Sequence, residues 1–104
     1  MEQKLKAGIY RIYDEKNKRS FLGYTYNLKG ILKRFRFELN LNMCTHKPLQ
    51  AMYNESGKNA QAEVLEEIAI DPNEPRAEEM MNEAMLKWQQ KLEADGETVN
   101  IILL

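Results

Sequence analysis

Two runs of β-branched and aromatic residues, 7–13 (Ala-Gly-Ile-Tyr-Arg-Ile-Tyr) and 20–26 (Ser-Phe-Leu-Gly-Tyr-Thr-Tyr), flank the polar stretch Asp14-Glu15-Lys16-Asn17-Lys18-Arg19. Such side chains suit a pleated, half-buried backbone, and the polar segment between them is turn-like. The chain therefore opens on a β-hairpin. Everything that follows has to fold around that pair of strands.

Asn27 stands where a helix N-cap belongs, before a segment reaching to about Leu41. Its apolar residues Leu28, Leu32, Phe35 and Leu39 fall on one stripe with Ile31 at the edge, while Lys29, Lys33, Arg34 and Arg36 decorate the rest. Gly30 in the first turns costs about 1 kcal/mol relative to alanine, which predicts a close contact there. Phe37 falls opposite the stripe and is expected in solvent. His46–Asn54 reads as a short second helix ended by Ser56-Gly57. Residues 62–68 sit between a glycine turn and the Asp71-Pro72-Asn73-Glu74-Pro75 break, a position that favours a third strand. A long helix is predicted over 76–93, striped by Ala77, Met81, Ala84, Met85, Trp88 and Leu92. Val99–Leu104 forms an apolar tail, predicted to pack on that helix or to pair with a sheet edge, including that of a second subunit. The order β-β-α-α-β-α plus tail predicts one α+β domain over residues 1–104, a three-stranded antiparallel sheet flanked by helices.

Composition restricts the function classes. A chain of 104 residues with 43% hydrophobic and 30% charged residues folds around a single core. Cys44 is the sole cysteine and His46 the sole histidine, so neither a disulfide framework nor a cysteine or histidine metal cluster can be assembled. No apolar run approaches membrane-spanning length and no leader precedes residue 6, so a cytoplasmic location without membrane attachment is expected. Net charge is only −1, yet residues 1–50 carry eleven Lys and Arg against four Asp and Glu, and residues 51–104 four against twelve. That asymmetry fits either a basic binding face or two halves that attract each other within the fold.

The tripeptides Gly8-Ile9-Tyr10 and Phe21-Leu22-Gly23, separated by ten residues, resemble the paired signature of the GIY-YIG nuclease superfamily. Leu49-Gln50, the Asn54–Asn59 segment and Val64-Leu65-Glu66 extend the resemblance in the same order over most of residues 6–92. It implies the GIY-YIG fold and a phosphodiester-cleaving chemistry using tyrosine, arginine, glutamate and a divalent metal.

The matched positions depart from that chemistry. Tyr10 matches the first tyrosine and is the candidate for activating water. Phe21 replaces the second tyrosine, keeping the ring and losing the hydroxyl. The arginine position falls on Ile31; Arg34, one turn on, is the available substitute. The glutamate position falls on Met85 when anchored on Trp88, and on Glu83 by loose spacing, although helical geometry sends Glu83 to solvent; Glu78 is a more distant substitute.

Three functions follow as expectations. The first is a catalytically degenerate domain without a cofactor that binds DNA or RNA through Arg11, Arg19, Lys29, Lys33, Arg34 and Arg36, with Tyr10 and Tyr24. The second is an endonuclease using Mg2+ or Mn2+ with Tyr10, Arg34 and Glu83 or Glu78. The third is a protein-interaction domain working through its acidic 62–83 region and its apolar tail.

Overall fold

A computed structural model of the chain describes residues 6–102. Strands β1 (Ala7–Asp14) and β2 (Arg19–Thr25) form the expected antiparallel hairpin, with Ile9 opposite Tyr24 and Ile12 opposite Phe21. At its tip the Asn17 amide donates to the Asp14 carboxylate at 2.6 Å, and Lys18 turns the chain at φ +51. The helices α1 (Leu28–Asn40), α2 (Lys47–Glu55) and α3 (Ala77–Ala94) and the strand β3 (Gln61–Ile68) all lie within a residue or two of their predicted bounds.

Local chemistry explains the starts. The Asn27 side chain accepts from the Gly30 amide at 3.0 Å and caps α1. A Cβ at residue 30 would run into that same Asn27 side chain, so the glycine and the cap are one device. His46 caps α2 through Nδ1, which accepts from the Leu49 amide, and Pro48 sits in the first turn, where its missing N–H costs nothing. Glu78 and Glu79 open α3 and Lys91 lies in its last turn, all favourable to the helix dipole.

The tail enlarges the sheet. Thr98–Ile101 forms a further strand, β4, parallel to β2, so the sheet has four strands in the order β3-β1-β2-β4 and is mixed, where three antiparallel strands were expected. Its docking is secured by Thr98 N–H to the Lys18 carbonyl at 2.8 Å and Ile102 N–H to the Leu22 carbonyl at 2.7 Å. The apolar tail thus covers the free edge of its own hairpin; Leu104 lies outside the described residues.

Strand alternation divides the core in two. Tyr10, Ile12 and Phe21 point to the face covered by α1 and α2, where they pack with Leu28, Phe35, Leu39, Leu49 and Met52. Ile9 and Leu22 point to the other face, against Met85 and Leu92 of α3. On that second face a bulge in β3 places one extra residue, Leu65, opposite the Ile9–Tyr10 step.

Candidate functional site

Tyr10 is wholly enclosed, at 0% exposure, with its ring 6.0 Å from that of Phe35. Its hydroxyl has no hydrogen-bond partner among the described residues. Burial pushes that hydroxyl above the ordinary tyrosine range, and the Arg34 charge opposes the shift without cancelling it. A general base needs to reach its proton donor within hydrogen-bonding distance, and this oxygen has no access to solvent. Phe21, also buried, meets the His46 ring edge-on at 5.7 Å. Ile31 packs against the same cluster as an ordinary apolar side chain.

Met85 does not join them. It lies in the α3 cluster, on the opposite face of the sheet from Tyr10, so a carboxylate at that position would not stand beside the Tyr10 hydroxyl. Of the two positions, 31 belongs to the Tyr10 cluster and 85 does not. Next to Met85, the Glu66 carboxylate is engaged by the Trp88 indole N–H at 2.8 Å. Glu83 is exposed, as its helical angle required. Glu78 lies close enough to Tyr24 to add to the burial that raises the Tyr24 hydroxyl. Among the described residues no group of three Asp, Glu, His or Cys could hold a metal ion, and positions 21, 31 and 85 carry no carboxylate.

The basic residues separate into two groups. Arg11 lies on the α3 face and is neutralised within the fold: Nε donates to Glu63 at 2.7 Å and Nη1 to both oxygens of Glu97 at 3.0 Å. Ser20 donates to the same Glu97 carboxylate at 2.6 Å, and the Arg11 guanidinium stacks 4.0 Å over the Tyr13 ring. Arg19 pairs with Glu55 and Arg34 with Glu38 one turn along α1. Tyr24 stands beside Tyr26 on the way into α1, with ring centroids 6.3 Å apart. What is left is α1 itself, where Lys29, Lys33 and Arg36 are exposed and have no ion-pair partner among the described residues. One groove joining all six basic residues with Tyr10 and Tyr24 is therefore not what the chain builds; Arg11 and the α1 row lie on opposite faces of the sheet.

The two tripeptides meet where Tyr10 stands opposite Gly23, in a hairpin followed by a helix, a short helix, a strand and a long helix. Among solved structures the chain is similar to the catalytic domain of the intron endonuclease I-TevI, determined as a point mutant. The TM-score is 0.67 and the identity 24%, over 92% of this chain and 93% of that one. The fold is the GIY-YIG fold. No family model and no curated protein matches the chain.

Within the GIY-YIG fold, sequence reading missed two polar residues at the far end of α1: Asn40 and Lys58. Asn40 was within reach of that reading, since it continues the spacing 29, 33, 36 by four more residues. Lys58 reaches α1 only through the turn after α2. No described helix is long and apolar enough to cross a membrane.

Proposed function

We propose that this GIY-YIG domain binds nucleic acid through the exposed face of α1 and does not hydrolyse it. The observation that carries this reading is the row Lys29, Lys33, Arg36, cations without carboxylate partners on one side of a rigid helix. Exposed Phe37, at 63%, lies beside the row and offers a ring for base contact. Against hydrolysis stand the enclosed Tyr10 hydroxyl and the apolar side chains at positions 21 and 31. Loss of a single preorganised donor typically costs about 3–4 kcal/mol of transition-state stabilisation, and two such groups are missing together.

The likeness to an endonuclease domain keeps a second reading open, an endonuclease with relocated groups. The observation in its favour is the Arg34 charge acting on Tyr10. Arg34 is itself tied to Glu38 at 3.1 Å, and no carboxylate among the described residues joins it into a metal site. The two readings separate in one experiment: titrate salt against duplex DNA binding, and incubate the same protein with supercoiled DNA and Mg2+ or Mn2+. Binding that weakens with salt on a log–log slope of about −3, from roughly −0.9 per neutralised phosphate, without strand cleavage, supports the binding module. Metal-dependent cleavage abolished by Tyr10→Phe transfers the assignment to the endonuclease.

A further inference from the structure

A cleft of about 460 Å³ opens between the C-terminal half of α1 and the turn leading into β3. That size lies within the usual range for small-ligand sites. Its floor is closed by buried Phe35 and Leu39, so the chemistry lies in its walls. Arg36 and Asn40 come from α1, and Lys58 from the turn after α2.

All three present donors. Arg36 and Lys58 can only donate, and neither has an ion-pair partner among the described residues. The Tyr53 hydroxyl donates to Asn40 Oδ1. With that oxygen engaged, the Asn40 amide keeps its NH2 group for another acceptor. Gln61 borders the cleft, but it pairs with Tyr13 and accepts from the Tyr13 hydroxyl at 3.3 Å, on the Arg11 face of the sheet. No carboxylate is among the described residues lining the cleft. The neighbouring cleft under the hairpin tip is acidic on balance, lined by Asp14, Glu15 and Glu55 against one cation, Lys16. The end of α1 contributes about half a negative charge at this point, and the two cations outweigh it.

Two further facts tie the cleft to the proposed interface. Arg36 and Asn40 continue the row begun by Lys29 and Lys33, at helix spacings of four, three and four residues, a stripe about 16 Å long at 1.5 Å per residue. Lys58 holds φ +66, directly after Gly57 at φ +67, a left-handed backbone that disfavours any residue with a Cβ. The turn thus delivers an ammonium group to the cleft at the cost of local strain.

We propose that this cleft binds a phosphate group of a nucleic-acid backbone, held by Arg36 and Lys58 and oriented by the Asn40 amide. It rests on the nucleic-acid reading above and fixes where the strand leaves α1.

The test begins without nucleic acid. Isotope-labelled protein is titrated with inorganic phosphate, and with sodium chloride at matched ionic strength, while NMR follows the Asn40 side-chain amide and the Lys58 backbone amide. Saturable shifts specific to phosphate, lost in the double variant Arg36→Gln, Lys58→Gln, are expected; identical shifts in chloride, or shifts that survive in the variant, overturn the site. Duplex binding then identifies the occupant. The double variant Arg36→Gln, Lys58→Gln is expected to reduce the log–log salt slope by about 0.9, the share of one phosphate, and Asn40→Ala to weaken binding with the slope unchanged. Phosphate shifts lost in the double variant with duplex affinity and slope unaltered would overturn the backbone assignment alone, and Lys29→Gln with Lys33→Gln would still report on the α1 reading. A protein that binds phosphate but no nucleic acid refutes both.

Discussion

Gly23 lies directly over the hydroxyl of Tyr10: a Cβ at residue 23 would sit 2.5 Å from that oxygen and 2.7 Å from the ring carbon bearing it. The two residues are cross-strand partners, so the small residue of one tripeptide makes the space occupied by the tyrosine of the other. Because the ring is enclosed, it cannot swing away from an added methyl group. Gly23→Ala is expected to cost about 1–3 kcal/mol by overpacking. Tyr10→Phe removes a buried hydroxyl with no partner and is expected to be neutral or stabilising by about 1 kcal/mol. In the Tyr10→Phe background the alanine should cost less, which a double-mutant cycle of urea unfolding measures. Equal costs in both backgrounds would refute the contact.

The Tyr10 hydroxyl also sets an alkaline limit. Its folded value is raised above the ordinary tyrosine value of 10.0, chiefly by burial. The unfolded chain therefore releases this proton at lower pH than the folded one. Stability is fully present below about pH 10 and falls as pH rises beyond it, because deprotonation draws the equilibrium toward the unfolded state. Chemical denaturation between pH 8 and 11 should show that decline, and Tyr10→Phe should lessen it. An unchanged pH profile in the variant would place the decline elsewhere.

Gly30 and Asn27 make a coupled pair at the start of α1. Alanine for glycine inside a helix ordinarily gains about 1 kcal/mol. Here the new Cβ displaces the Asn27 side chain from the Gly30 amide, and loss of such a cap costs about 1 kcal/mol. Gly30→Ala is expected to leave stability nearly unchanged in the native protein. In an Asn27→Ala protein, itself destabilised by about 1 kcal/mol, the same change should stabilise. Thermal unfolding of the four proteins is sufficient to detect the change of sign.

The catalytic positions yield a negative prediction with a structural reason. The native protein is expected not to cleave supercoiled or branched DNA with Mg2+ or Mn2+. Ile31→Arg would bring a guanidinium to the Tyr10 face, but Met85→Glu would place its carboxylate among Ile9, Leu22 and Leu92, beyond the sheet. The double variant is therefore also expected to be inactive, and less stable than the native protein by roughly 2–4 kcal/mol from the buried, unpaired acid. Cleavage by the double variant would show that both faces of the sheet serve one site.

Much of this protein was legible as sequence because much of it is local. The Asn27 cap, the Leu28–Phe35–Leu39 and Met81–Met85–Leu92 stripes, the solvent position of Phe37 and the turn between the hairpin strands each depend on residues within a few positions of one another. Periodicity decides which side of a helix is apolar, and that side is the buried one. The two tripeptides likewise announced a pairing that a hairpin of this length enforces.

What sequence could not supply was the choice of partner across long separations. Arg11 has the same chemistry as Lys29 or Arg36, yet it is consumed by Glu63 and Glu97, 52 and 86 residues away, while Lys29, Lys33 and Arg36 have no ion-pair partner among the described residues. Tyr10 carries the motif of a site residue, but only the packing of α1 and α2 over β1 enclosed its hydroxyl. Met85 stood at the predicted spacing from Trp88, and the crossing of α3 on the other face of the sheet carried it away from Tyr10. The tail was apolar by composition; only the exposed edge of β2 determined that it would become a parallel fourth strand. A local pattern specifies what each segment must bury, whereas the surface that buries it is created by segments distant in the chain, and so exists only once the tertiary fold has formed.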